Sequence, residues 1–276
     1  MKILLCTDGS ADAARAVRFG LQLAQRHTDS LRLLGVVEDQ ENAERLIRSA
    51  LEALGTELQT SGLAYETKMR HGHAAEQILD EAAAWQADLI VMGQLGRRGF
   101  TRFIMGGTAT RIIQYARCSV LLVKGQRSAL RNMLVCTAGG RPGLRDVETA
   151  GQLAAQAKAA VTVLHVMSQV ALSEKTYQPE LEAAAAELIA RQTREGLHLE
   201  AALNQLTSWG VSCAAKVRHG FVVDEIVAEV KDGDYDLLII GANLARGLTR
   251  WLLDDVMAHV LERTQVPILV VRDARQ

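Results

Sequence analysis

Asp88-Leu89-Ile90-Val91-Met92-Gly93 and Asp236-Leu237-Leu238-Ile239-Ile240-Gly241 are two versions of one pattern: an acid, four consecutive apolar residues, a glycine. An apolar run of that length, closed by a turn former, reads as a strand covered on both faces, the kind found in parallel sheets. The two copies lie 148 residues apart, and the match extends without gaps from 69–124 to 217–272. Arg70-His71-Gly72 faces Arg218-His219-Gly220, and Arg98-Gly99-Phe100-Thr101-Arg102 faces Arg246-Gly247-Leu248-Thr249-Arg250. Upstream, Leu5-Cys6-Thr7 matches Val135-Cys136-Thr137 at an offset of 130, so the second copy carries 18 extra residues between its second and third strands. A repeat this long means two copies of a whole domain, not a solenoid.

Working outward, each copy alternates short β runs with helical stripes. In the first, residues 3–7, 31–37, 64–69, 89–93 and 120–123 read as strands. Between them, Ala13, Val17, Gly20, Leu21 and Ala24 form one helical stripe, and Leu46, Ile47, Ala50, Leu51, Leu54 and Leu58 form another. Ala75, Ile78, Leu79 and Ala82 form a third, and Ile112 with Ile113 marks a fourth. This alternation predicts an α/β fold: two doubly wound parallel-sheet domains in tandem, over residues 1–127 and 128–276. The joint at 124–132 is short and polar, which predicts packed rather than freely swinging halves. The terminal strands, 120–123 and Ile268–Val271, are apolar and would be exposed edges unless they pair with each other. The inserted residues fall between 168 and 208 and read as a longer surface helix, with Leu181, Ala185, Leu188, Ile189 and Gln192 on one face and a break or kink at Gly196.

Composition narrows the function. Of 276 residues, 31 are Lys or Arg and 32 Asp or Glu, a formal charge of -1 that provides no basic field for nucleic acid. Aromatics are only 4%, too few for base-stacking platforms. No apolar run approaches the ~18 residues that cross a bilayer, and Asp8 ends the first run too early for a signal peptide. The expectation is a cytoplasmic protein with no nucleic-acid or membrane partner. Cys6, Cys118, Cys136 and Cys213 are widely spaced with no CxxC pair, and read as reduced, mostly buried thiols.

In doubly wound sheets, ligands bind beyond the carboxyl ends of the strands. After the first strand comes Thr7-Asp8-Gly9-Ser10, where Asp8 fits either a ribose contact or a helix cap. After the fourth comes Gly93-Gln94-Leu95-Gly96, nine residues, then Gly106-Gly107-Thr108. The segment 93–108 holds Arg97, Arg98 and Arg102 and no acid. Glycines let backbone approach an anion, and a helix N-terminus offers free N–H groups. Strand-to-helix turns use glycine anyway, so glycine count alone leaves both readings open. The loop is neither a Walker A sequence nor a dinucleotide fingerprint.

Gly-x2-Gly-x9-Gly, preceded by residues 88–92 and followed by Val120-Leu121-Leu122-Val123, resembles the universal stress protein family. Thr7-Asp8-Gly9-Ser10 and His71-Gly72-His73-Ala74-Ala75-Glu76-Gln77-Ile78 fit it too, and the resemblance covers nearly the whole chain as two copies. It implies a Rossmann-like, adenine-nucleotide-binding fold, ATP as ligand with or without Mg2+, and a pseudo-dimeric arrangement of the halves, leaving further homodimer formation open. Carried over, Asp8 lies at the nucleoside and Val36 at adenine, with Met92, Gly93, Gly96 and Gly106 in the binding loop. Gly107 stands where the family has Ser or Thr, with Thr108 one residue on. The candidate ligand residues are Thr7, Asp8, Val36, Met92, Gly93, Gly96, Arg97, Gly106, Gly107 and Thr108. No catalytic residue or metal ligand is assigned.

The second copy departs from this pattern. Asp8 becomes Ala138, Gly96 becomes Leu244, and Gly106-Gly107 becomes Asp254-Asp255. Carboxylates at the helix start would repel phosphate, so the second half reads as a degenerate copy; the rival is that the aspartates bind a divalent cation. Arg-Gly-x-Thr-Arg and Arg-His-Gly persist in both halves, including the one without the site, which makes structural roles the economical reading for Arg98, Arg102, His71 and His219. The sequence thus predicts a nucleotide-liganded stress-response module. The alternatives are a slow ATPase or self-phosphorylating enzyme, and a nucleotide-independent scaffold.

Overall fold

The structure is a computed structural model. It describes residues 1–24, 30–38, 43–94, 107–167, 184–242 and 250–272, side chains of 250–255 excepted. By internal contacts it divides into two units, Met1–Ser128 with Pro267–Gln276, and Ala129–Val266.

In the first unit, β1 (Lys2–Thr7), α1 (Ala11–Leu21), β2 (Ser30–Val37), α2 (Ala43–Thr60), β3 (Tyr65–His71), α3 (Ala74–Trp85), β4 (Leu89–Gly93), α4 (Gly107–Tyr115) and β5 (Ser119–Val123) follow one another. The strands lie in the order β3-β2-β1-β4-β5, all parallel. This is a doubly wound sheet whose order reverses between β1 and β4. The apolar runs form its centre: Ile3, Leu4, Leu5, Leu33, Leu34, Ile90 and Val91 are all fully buried. Ser10 starts α1, its Oγ accepting from Ala13 N–H at 3.1 Å. The helix then presses close to the sheet, for a Cβ placed on Gly20 would lie 2.7 Å from Val91 Cγ1. Likewise Gly35 admits Ile47 of α2, 2.4 Å from where its Cβ would stand.

A sixth strand completes this unit. β10 (Ile268–Val271) comes from the end of the chain and pairs antiparallel with β5, Ile268 opposite Leu122, Leu269 opposite Leu121 and Val270 opposite Val120.

The second unit contains β6 (Asn132–Thr137), α5 (Gly140–Ala157), β7 (Ala160–Met167), α6 (Ala185–Ala190), α7 (Arg194–Ser208), β8 (Cys213–His219), α8 (Val222–Asp232), β9 (Leu237–Gly241) and α9 (Arg250–Arg263). Its parallel strands run β8-β7-β6-β9, the order of the first unit without the fifth strand.

The inserted stretch differs from expectation. The chain turns between α6 and α7, where Gln192 adopts φ 53° and Thr193 caps α7 by accepting from Gly196 N–H at 3.0 Å. Gly196 is not the breaker; it lies in the first turn of α7. It is glycine because a Cβ there would lie 2.0 Å from the Leu188 carbonyl oxygen. Leu181 falls outside the described residues. Asp254 and Asp255 also lie elsewhere than expected: α9 begins at Arg250, so they are inside the helix and not at its start.

The arginine of the repeated Arg-His-Gly motif has a packing explanation. Arg70 and Lys68 on β3 and Arg32 on β2 converge on Glu81 of α3, which is fully buried, at 2.8, 2.8 and 2.6 Å. In the second unit Lys216 and Arg218 reach buried Glu229 at 2.7 Å each, and Tyr235 Oη donates to it at 2.6 Å. Burial opposes ionisation of both carboxyls, yet the hydrogen bonds from their cationic partners hold both below the ordinary glutamate value. All four cysteines are free; Cys6, Cys118 and Cys136 are buried. Among the described residues, no helix is long and apolar enough to cross a membrane.

Candidate functional site

The parallel pairing of β1 with β2 and β4 brings the ends of three strands together. Thr7 ends β1 opposite Gly35, so Asp8 and Val36 come to one edge of the sheet beside Met92 and Gly93, the last residues of β4. Thr7, Val36 and Met92 are buried. Asp8 is not the cap of α1, a role held by Ser10. Its Oδ1 accepts from Ser10 N–H at 2.9 Å, and Thr7 Oγ1 accepts from Gly9 N–H at 3.2 Å. Gly9, at φ 83°, makes the turn that sets Asp8 at the mouth of the crevice.

Gly93 has a reason other than anion approach. A Cβ there would meet the Asp12 carbonyl at 3.2 Å, so the glycine admits the first turn of α1. Gly107 is different: a Cβ on it would find nothing within 4 Å among the described residues. It opens α4, whose first turn carries no acidic residue. Gly96, Arg97 and Gly106, with Arg98 and Arg102, lie outside the described residues, as do Leu244 and Arg246 and the side chains of Arg250, Asp254 and Asp255.

The residues present fit an adenine nucleotide. Val36 and Met92 offer an apolar wall, Asp8 a carboxylate at the crevice mouth, and the amino end of α4 offers N–H donors beside an uncrowded glycine. Among the described residues, no group of three or more His, Cys, Asp and Glu is placed to hold a metal ion.

The corresponding edge of the second unit is built otherwise. Gly35 of the first copy corresponds to His165, whose Nδ1 donates to the Thr137 carbonyl at 3.0 Å. His198, from α7, is hydrogen-bonded through Nε2 to Thr137 Oγ1 at 2.7 Å. Burial, reinforced by His165, holds the His198 imidazole below its usual pKa. Gly143 makes room for this pair, since a Cβ there would lie 2.1 Å from Thr137 Oγ1. Where the first copy has Ala16, the second has Asp146, and a Cβ on Gly241 would lie 2.1 Å from its Oδ2. No motif marks His165, His198 or Asp146; the signal for His165 and Asp146 was the replacement of a glycine and an alanine of the first copy by titratable residues, and His198, in the stretch that holds the insertion, had none.

A model of the universal stress protein family matches residues 1–124 and again 129–272. The chain belongs to the universal stress protein family. It is 24% identical to a universal stress protein of Mycolicibacterium smegmatis over 98% of this chain and 96% of the relative. It is 31% identical to a universal stress protein of Methanocaldococcus jannaschii over 45% of this chain and 81% of that one, about the extent of one repeat. The crystal structure of a universal stress protein from Archaeoglobus fulgidus has the same fold, with a TM-score of 0.66 at 17% identity, covering 98% of this chain and 96% of that one. The tandem reading of the sequence and its α/β class are therefore those of a two-domain universal stress protein.

Proposed function

We propose that the protein is a stress-response module that binds ATP in its first repeat, residues 1–127, and not in its second, residues 128–276. The observation that carries this reading is the start of α4: an uncrowded Gly107, followed by Thr108, with no acid in the first turn. A helix N-terminus of this kind attracts negative charge through its unpaired N–H groups and dipole. Asp8 holds the ribose, and Thr7, Val36 and Met92 border the base. Gly93, Gly96, Arg97, Gly106, Gly107 and Thr108 surround the phosphates, with Mg2+ where the nucleotide carries it. In the second repeat, Ala138 lacks the carboxylate, and His165 and His198 are each already bonded to Thr137. The nucleotide is a regulatory ligand here and the protein acts in the cytoplasm.

We infer also that the repeats associate as an intramolecular pseudo-dimer. In support, the β5–β10 register centres on Leu121 opposite Leu269, which are repeat equivalents. Two-fold related strands pair in this way.

Calorimetry with ATP should give about one site per chain; two equal sites would contradict the single-site reading. Gly107→Asp should weaken ATP binding roughly tenfold or more while leaving thermal stability unchanged or raised, because an acid at a helix start favours the helix and repels phosphate. Thr108→Ala should do much less. Unchanged affinity in Gly107→Asp would remove the phosphates from this helix end.

A further inference from the structure

The helix that is proposed to receive the phosphates depends at its other end on a residue from the far end of the chain. α4 has nine residues, and none in its last turn is basic. A helix of that length, ~13 Å long, is marginal by itself, and its final carbonyls need donors from elsewhere. Arg272, just past β10, supplies them. Its Nη2 donates to the Ile113 carbonyl and lies 3.5 Å from that of Gln114. Its backbone N–H donates to Ser119 Oγ, at the start of β5, at 3.1 Å. A guanidinium is suited to this place: it offers several donors in a plane and a permanent positive charge at the negative end of the helix. The register of β10 on β5 fixes where it arrives.

We propose that Arg272 is a positioning residue for the nucleotide site of the first repeat, holding α4 so that its amino end meets the phosphates. The inference rests on the ATP reading above. It assigns the second repeat a task that its own crevice does not perform: its terminal strand completes the binding site of the first. Arg272 acts through α4, so it governs phosphate affinity and leaves nucleoside affinity alone.

The test uses the full chain with Arg272→Lys, Arg272→Gln and Arg272→Ala. ATP binding is measured by calorimetry, and adenosine binding by competition with ATP. ATP affinity should fall in the order parent, Lys, Gln, Ala, reaching a loss of roughly three- to tenfold in Arg272→Ala. Adenosine affinity should stay within about twofold. If Arg272→Ala fails to fold, the same ordering in the Lys and Gln variants decides. A parent that binds ATP and variants that bind it equally well would overturn the role of Arg272 and leave the ATP reading standing. Equal losses for ATP and adenosine would overturn it too, as the mark of general destabilisation. A parent that binds no ATP would overturn both.

Discussion

Asp146 lies on α5 with its carboxylate against Gly241, and burial pushes its pKa up to about 7 from an ordinary 3.8. The unfolded chain releases this proton near pH 4, whereas the folded protein keeps it to near neutrality. Between those values the folded state holds the extra proton, so stability falls as pH rises through the window and levels off above it. Asp146→Asn keeps the shape without the charge. It should exceed the parent in stability at pH 8 by about 1–3 kcal/mol and lose the slope between pH 4 and 7, as read by urea unfolding at several pH values. Glu81 and Glu229 act with opposite sign, their depressed pKa values placing their loss at more acid pH, so the difference between variant and parent isolates Asp146. A parent that loses no more stability than the variant over that range would show that Asp146 is not held protonated. At this scale the sequence was legible only where a residue acts through its neighbours in the chain. Ser10 and Asp8 meet backbone within three residues, and their turn could be read, though the cap considered there was Asp8 and the cap found is Ser10. His198 meets Thr137 from 61 positions away, and no local pattern carries such a contact.

The central strands, such as β1, β4 and β9, were readable because a doubly covered strand needs an unbroken apolar run, and few other elements produce one. The inserted segment was not, because two short helices meeting at a tight crossing share the periodicity of one long helix. What separates them is Gly196 under the Leu188 carbonyl, a contact between α6 and α7 that appears only after folding. Gly196→Ala should therefore destabilise the protein by about 2–3 kcal/mol, since backbone and not a pliable side chain must move. The measurement is a urea or thermal unfolding curve. A loss under 0.5 kcal/mol, roughly the ordinary surface range, would mean the crossing is looser than described. The buried Glu81 and Glu229 clusters show the complementary case. The cations common to both sit on strands β3 and β8 at alternate positions, Lys68 with Arg70 and Lys216 with Arg218. The recurrence of the arginine of Arg-His-Gly in both repeats thus reflects one ion cluster built twice, with no ligand needed to explain it.

For the molecule as a whole, the apolar character of the terminal strands predicted that they pair, and β10 is found on β5. Leu122 and Val270 are buried in that pairing. Leu122→Lys or Val270→Lys should cost on the order of 3 kcal/mol, or drive self-association, while ATP affinity of the folded fraction changes far less. Size-exclusion chromatography with unfolding curves reads both outcomes. Variants as stable and as monomeric as the parent would show that the pairing is dispensable. The repeat made the tandem plan legible, but it could not show that the first unit is discontinuous in sequence, because self-similarity assigns each strand to its own copy. That discontinuity bears on synthesis. Residues 267–276 belong to the first unit and leave the ribosome after all of the second. Domains ordinarily fold in turn as they emerge. Here the first unit must wait through the making of the entire second one, with the β5 edge unpaired until β10 has been made.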